Sequence, residues 1–343
     1  MATRIEPVPA TASSRTGGSG ELPAGTPRAN HGARTTGCGS PATVAALAAR
    51  CTSPLSVVRP DEPLGRRTTL RVGGHADLYV EPASEADLKA VVVFCQEHGL
   101  PLLVLGRGSN LLVRDGGVRG LVVALAQPVF CGIEVRGALL DCGAGARLNE
   151  VAAVALQHGL GGLEFLEGIP GSVGGALRMN AGAMGFRAGD VVETVRVMDR
   201  SGGVSERAAS TLPFVYRGCP FFAETIALRA VWRGQPAPPH EIRSRLAEFS
   251  RRRWASQPRE PSAGCLFKNP AEAPAGKLID ALGLKGLRVG GATISEVHAN
   301  FLVTEQGATA HDVLELAGIV RERVRRERGI ALELEVQVVG EDD

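Results

Sequence analysis

A chain of 343 residues, 44% hydrophobic and 22% charged, has ordinary globular composition and length for two folded units, which excludes a fibrous or wholly disordered protein. A net charge of +2 at pH 7 names no nucleic-acid partner, and Lys89, Lys268, Lys277 and Lys285 are the only lysines among 38 basic residues. Seven cysteines without CxxC spacing (Cys38, Cys51, Cys95, Cys131, Cys142, Cys219 and Cys265) argue against a disulfide framework or a zinc site and for a reducing compartment. No apolar run approaches the ~18 residues of a membrane span, and the N-terminus lacks an apolar export core, so a cytoplasmic protein is expected.

Residues 1–55 are rich in Gly, Pro, Ser, Thr and Ala without an apolar period, and are expected to form a disordered extension. From Thr68 the chain changes to short apolar runs punctuated by glycine. Ser84 can cap a helix with Glu85 and Asp87 in its first turn, ended by Gly99 and Pro101; Leu102 to Leu105 then reads as a buried strand. The loop Gly106-Arg107-Gly108-Ser109-Asn110 leads into a short apolar run, Leu111 to Val113. A helix over Leu148 to His158 precedes a second glycine-rich segment, Gly168-Ile169-Pro170-Gly171-Ser172-Val173-Gly174-Gly175.

Strands are expected at 190–199 and 225–232, and the Gly and Pro residues of 234–239 mark a domain boundary. This gives residues 56–235 and 236–343 as the two folded units. Beyond it come a helix near 240–252, an irregular segment through Pro270, a short helix from Gly276, a strand near Ala299 to Thr304, a helix from Ala310 to Arg328, and a strand near Leu332 to Val339. Elements that do not alternate regularly point to an α+β architecture. The run from Arg321 to Arg328 interleaves glutamates and reads as a solvated helix face with i,i+4 pairs.

Consecutive small residues leave backbone N–H groups open to an anion, so both glycine-rich loops are chemically suited to phosphate. Glycine-rich turns also connect elements for steric reasons alone, and neither loop fits the Rossmann fingerprint or ends in the Gly-Lys-Ser/Thr of a Walker A loop.

The two loops, with Thr68-Thr69-Leu70-Arg71-Val72-Gly73-Gly74, Met179-Asn180-Ala181-Gly182-Ala183, Tyr216-Arg217, Pro261 to Pro270, Gly276 to Val303 and Leu332 to Gly340, make a specific string. It resembles the UDP-N-acetylenolpyruvoylglucosamine reductase (MurB) family over essentially everything after residue 65. The short passage from Trp232 to Pro261 resembles the family's second subtype, which lacks a tyrosine-bearing loop. The resemblance implies an FAD-binding fold of two subdomains, of the vanillyl-alcohol oxidase type, over residues 56–235. A smaller α+β substrate-binding domain over 236–343 follows. It implies noncovalent FAD, NADPH as hydride donor, a UDP-linked sugar substrate, a role in peptidoglycan synthesis, and no nucleic-acid or membrane partner; a monomer is expected.

By the same resemblance Gly106, Arg107, Gly108, Ser109, Asn110, Gly168, Ile169, Pro170, Gly171, Ser172, Gly175 and Asn180 are cofactor-binding. Arg217 is the cation facing the substrate carboxylate, Glu335 the carboxyl that polarises or protonates it, and strand alternation sets Glu335 on the face of Glu333. Cys265 stands where relatives usually carry the serine that donates a proton, and a thiol can do that work. Tyr216, Asn269, His298 and Asn300 match substrate-pocket positions, with His298 equally readable as a structural histidine. Ser256 stands where relatives often have a phosphate-contacting lysine, which leaves arginines such as Arg253. Two other classes stay open: a flavin oxidase of the same fold, and a noncatalytic flavin or nucleotide binder.

Overall fold

The structure, a computed structural model, describes residues 37–342. Most of the expected N-terminal extension, residues 1–36, lies outside the described residues. Its last part departs from expectation: helix α1, Pro41–Ala48, starts on a cap in which the Ser40 Oγ accepts the Thr43 N–H, and Leu47 is fully buried. One leucine and one cap order a turn that its Ala-rich composition had hidden.

The first sheet runs in the order Val57–Pro63, His75–Glu81, Val118–Ala124, Leu102–Leu105. Its first pair is antiparallel and the other two are parallel. Helix α2, Glu85–Glu97, begins on Ser84 as expected, and buries Leu88, Val91, Val92 and Phe94. Only Leu105 of the strand expected to be buried at 102–105 is fully covered.

The second sheet is antiparallel throughout, in the order Val204–Ala208, Val192–Asp199, Thr225–Arg233, Leu139–Gly143, Ile133–Arg136. Helices α3, Leu148–Gln157, and α4, Val173–Met179, share a continuous apolar core with it and with the first sheet. Helix α5, Pro239–Ser256, follows the short strand Gln235–Pro236 and lies against α3 and the 164–168 turn. The chain does turn at the expected boundary, but the core changes over only after Ser256.

The third sheet is Ser262–Cys265, Phe301–Thr304, Ala292–Ile294, Arg288–Val289, all antiparallel. Its first strand falls in the segment expected to be irregular. It is short and bulged, with Gly264 at φ +76°, so no alternation announced it. Helices α6, Ala275–Asp280, and α7, Ala310–Arg328, cover it, and the core between them takes in Leu70, Val72 and Leu112 from the first half of the chain. The exposed end of α7 carries Arg325–Glu322 and Arg326–Glu327 pairs, so its pairing is i,i+3 and adjacent rather than i,i+4.

The strand expected from 332 shortens to Gln337–Val339, which pairs in parallel with Leu111–Val113. Residues 333–335 instead lie along 266–268: the Glu335 N–H bonds to the Leu266 carbonyl and the Lys268 N–H to that of Glu333. Glu333 and Glu335 do not share an environment. The first side chain is 73% exposed and pairs with Lys268; the second is 14% exposed and pairs with Arg217. Among the described residues no helix is long and apolar enough to cross a membrane.

Candidate active site

Three stretches far apart in the chain deliver the reactive side chains. Arg217 sits in the tight turn Val215–Gly218, closed by reciprocal Val215 and Gly218 backbone bonds of 2.9 and 3.3 Å. Its φ of +58° is left-handed, a conformation that costs a non-glycine L-residue on the order of 1–2 kcal/mol. Cys265 ends the bulged strand of the third sheet opposite Phe301, and Glu335 is registered one residue along by its bond to the Leu266 carbonyl.

The Arg217 Nε lies 2.9 Å from the Glu335 Oε1, with both side chains largely covered. That buried Nε is thus ion-paired with Glu335, although its N–H is not well aligned on any acceptor among the described residues. Burial works to discharge Arg217, but Glu335, Tyr216 and Cys265 outweigh it and keep the guanidinium charged. Burial raises Glu335 above the ordinary carboxyl range even though Arg217 and Lys268 pull it down. The Cys265 thiol is pushed up to about 11 by burial and then by Glu335, while Arg217 and the Asn300 side chain act the other way. The trio is therefore a charged cation, a carboxyl whose pKa burial raises, and a thiol that keeps its proton at neutral pH.

The matched pocket residues mainly hold backbone. The Asn300 side chain clasps Phe267 through both its N–H (3.0 Å) and carbonyl (2.8 Å), which fixes the strand carrying Cys265. The Asn269 Oδ1 accepts the Ala275 N–H at the start of α6. The His298 Nδ1 accepts the Asn300 N–H at 3.1 Å, which puts the proton on Nε2, and burial lowers its pKa. Tyr216 is 50% exposed, with the Arg217 guanidinium 5.2 Å from its ring centre.

The two glycine loops meet. A Cβ on Gly106 would lie 2.9 Å from the Ser172 Oγ, and Gly171 approaches the Ser109 Oγ. A Cβ on Gly108, at φ +62°, would lie 2.4 Å from the Arg67 carbonyl oxygen. Gly106 and Arg107 face solvent while Gly108 is buried. Arg107 is depressed by burial and by a neighbouring cation, Arg147, which precedes α3 and bridges to Ser172. Sequence reasoning missed Arg147, since one arginine before a helix is no signal. A cradle closed to side chains and flanked by two guanidiniums fits a dinucleotide diphosphate. Not every group there is open: the N–H groups of Val173, Gly174 and Gly175 already bond to Ala146, Ala144 and the Ser172 Oγ. Gly168 is buried at the end of a 3-10 turn, with Ile169 against the core and Pro170 exposed beyond it.

Asn180 stands apart from the other expected cofactor residues. It ends α4 in a left-handed conformation, is buried, donates through Nδ2 to the Val215 carbonyl (2.9 Å) and accepts the Gly189 N–H (3.0 Å). Arg253 sits near the end of α5 with a buried, unpartnered Nε and its ring neighbour Trp254 half exposed, while the Ser256 hydroxyl turns back onto the helix.

An α+β fold with a small-residue diphosphate cradle beside a guanidinium, thiol and carboxyl defines a flavoprotein, and the FAD binding domain family model matches residues 76–206. The C-terminal domain model of UDP-N-acetylenolpyruvoylglucosamine reductase matches residues 257–339, the stretch over which the second core runs. The chain belongs to the UDP-N-acetylenolpyruvoylglucosamine reductase family. The reductase of Geobacter metallireducens is 46% identical over 82% of this chain and 94% of its own length. That of Rubrobacter xylanophilus is 44% identical over 82% and 95%. The crystal structure of the Thermus caldophilus reductase is 40% identical, with a TM-score of 0.73 over 83% of this chain and all of its own.

Proposed function

We propose that Arg217, Cys265 and Glu335 carry the family's reaction in this chain, the NADPH-driven reduction of UDP-N-acetylenolpyruvoylglucosamine to UDP-N-acetylmuramate in peptidoglycan precursor synthesis. The observation that supports this assignment is the 2.9 Å Arg217–Glu335 pair with the Cys265 thiol in the field of both. When bound, FAD takes up hydride from NADPH and supplies it to the methylene carbon of the enolpyruvyl group.

Hydride addition sends negative charge toward the substrate carboxylate. Arg217 meets it with a fixed planar cation already paired with Glu335, and Glu335, whose pKa burial raises, gives in its protonated form a hydrogen bond that strengthens as charge builds. Cys265 then donates its proton to the carbon next to the carboxylate, and Arg217 steadies the thiolate left behind. The 106–110 loop, with Gly168, Ile169, Pro170, Gly171, Ser172 and Gly175, and with Arg107 and Arg147, takes the cofactor diphosphate. Arg253 is placed to meet the substrate's phosphates in the absence of lysine at 256. Residues 56–235 hold the cofactor and those from 236 close over the substrate, with α5 shared between them. A cytoplasmic monomer suits a soluble nucleotide-sugar substrate.

The test is to record the visible spectrum of the purified protein and follow NADPH consumption with and without UDP-N-acetylenolpyruvoylglucosamine. A yellow protein whose turnover depends on that substrate supports the assignment. Oxygen-dependent turnover indifferent to it would identify an oxidase, and a colourless protein that added FAD does not reconstitute would remove the flavin.

A further inference from the structure

The Arg217–Glu335 pair spans two segments that share no regular secondary structure, since each residue lies outside a named strand or helix. Besides the Val215–Gly218 bonds on one side and the Glu335–Leu266 bond on the other, each segment is held by an asparagine side chain. Val215, which opens the turn bearing Arg217, gives its carbonyl to the Asn180 Nδ2 at 2.9 Å. Asn180 in turn ends α4, whose start is the Ser172 cap in the second glycine-rich loop. Glu335 gives its carbonyl to the Asn110 Nδ2 at 3.2 Å, and the Gln337 N–H returns to the Asn110 carbonyl at 3.0 Å, so one residue of the first loop ties down the chain on the C-terminal side of Glu335.

We infer that Asn180 and Asn110 are positioning residues: each suspends one member of the charged pair, Asn110 from within the first glycine-rich loop and Asn180 from the far end of α4, the helix that leads out of the second. The inference rests on the reading of Arg217 and Glu335 as the groups that meet the substrate carboxylate. Arg217 needs such an anchor because its left-handed turn is unfavourable for a non-glycine residue. Glu335 needs one because its segment makes only a single isolated bridge, Phe267–Leu334, before the strand at 337. Asn180 suits its task twice over. Its φ of +41° is one that asparagine tolerates better than most residues, and both ends of its amide are committed to protein backbone. The loops that grip the cofactor and the groups that grip the substrate are thus fixed to one frame, with a side-chain hydrogen bond as the link in each case.

The experiment compares Asn180→Gly, Asn180→Asp and Asn110→Ala with the parent in the two half-reactions, flavin bleaching by NADPH and reoxidation by UDP-N-acetylenolpyruvoylglucosamine. Glycine keeps the left-handed cap and deletes the anchor; aspartate keeps the acceptor for Gly189 but turns an oxygen toward the Val215 carbonyl. We expect both Asn180 variants to slow reoxidation ~10–100-fold, as sub-ångström misplacement of a catalytic group does, with bleaching changed less than ~2-fold. Asn110→Ala, scored per bound flavin, should slow reoxidation ~10-fold.

The decisive comparison is in backgrounds that lack the suspended group. Asn180→Gly should add less than ~2-fold to Arg217→Ala, and Asn110→Ala less than ~2-fold to Glu335→Gln. Titration of the oxidised protein gives a readout apart from turnover. The preference for the enolpyruvyl substrate over UDP-N-acetylglucosamine, which lacks the carboxylate, should narrow in Asn180→Gly while affinity for the latter holds. Full additivity in either double variant, or parental reoxidation by both Asn180 variants, overturns the inference. Parental reoxidation by Arg217→Ala itself would instead overturn the underlying reading of that arginine.

Discussion

Arg217 and Glu335 face each other at 2.9 Å from a left-handed turn and a segment with one β-bridge, and they act in opposite directions on the Cys265 thiol. Removing the cation leaves a covered carboxyl and a thiol with no opposing charge. Arg217→Ala is expected to slow substrate-dependent flavin reoxidation ~10²–10³-fold in stopped-flow, with NADPH bleaching retained. Arg217→Lys keeps the charge without the planar fork and should recover only a minor part of the rate.

Cys265, pushed up to about 11 by burial, keeps its proton across the physiological range, as the proposed donor role requires. Cys265→Ala should lose ~10²–10⁴ in substrate turnover while Cys265→Ser keeps much of it. Equal rates for the alanine variant and the parent would retire the donor role.

Glu335 is raised in the folded protein, chiefly by burial. A carboxyl with a raised folded pKa contributes stability in its protonated form; that contribution is complete below the unfolded value and is lost as pH rises through the folded one. The parent should therefore lose more thermal stability than Glu335→Gln as pH rises from the ordinary carboxyl range through the raised folded value. Parallel curves of melting temperature against pH would refute this.

Asp115 joins the two halves of the chain, its Oδ1 and Oδ2 accepting the Ala310 and His311 N–H groups at 2.8 Å each at the start of α7. Asp115→Ala removes two acceptors from a helix start and should destabilise the protein by ~1–2 kcal/mol in urea unfolding.

Gly108→Ala would drive a Cβ to 2.4 Å from the Arg67 carbonyl oxygen and 2.7 Å from the Thr68 Cα. The loop must shift, and the purified variant should carry ~10-fold less FAD per chain by absorbance.

What the sequence disclosed followed local rules. Helix α7 runs from Ala310 to Arg328 as its period and its Thr309 cap require, and α2 begins where Ser84, Glu85 and Asp87 place it. The strand Val57–Pro63 was invisible because Pro60, Pro63 and three charged residues disguise it, which an edge strand tolerates. Arg217, Cys265 and Glu335 came from resemblance and the structure brings them near one another, and the two asparagines came from the same resemblance as cofactor residues, with nothing in it to announce their bonds to Val215 and Glu335. Their bonds reach partners 35 and 225 residues away, a separation over which no local pattern carries information.

The parallel pairing of Leu111–Val113 with Gln337–Val339 also orders events during synthesis. The first strand leaves the ribosome more than two hundred residues before its partner exists, and Asn110, directly ahead of it, waits equally long for Glu335. A nascent chain can complete its first sheet early, yet Glu335 cannot take its place beside Asn110 until the residues through Val339 have emerged.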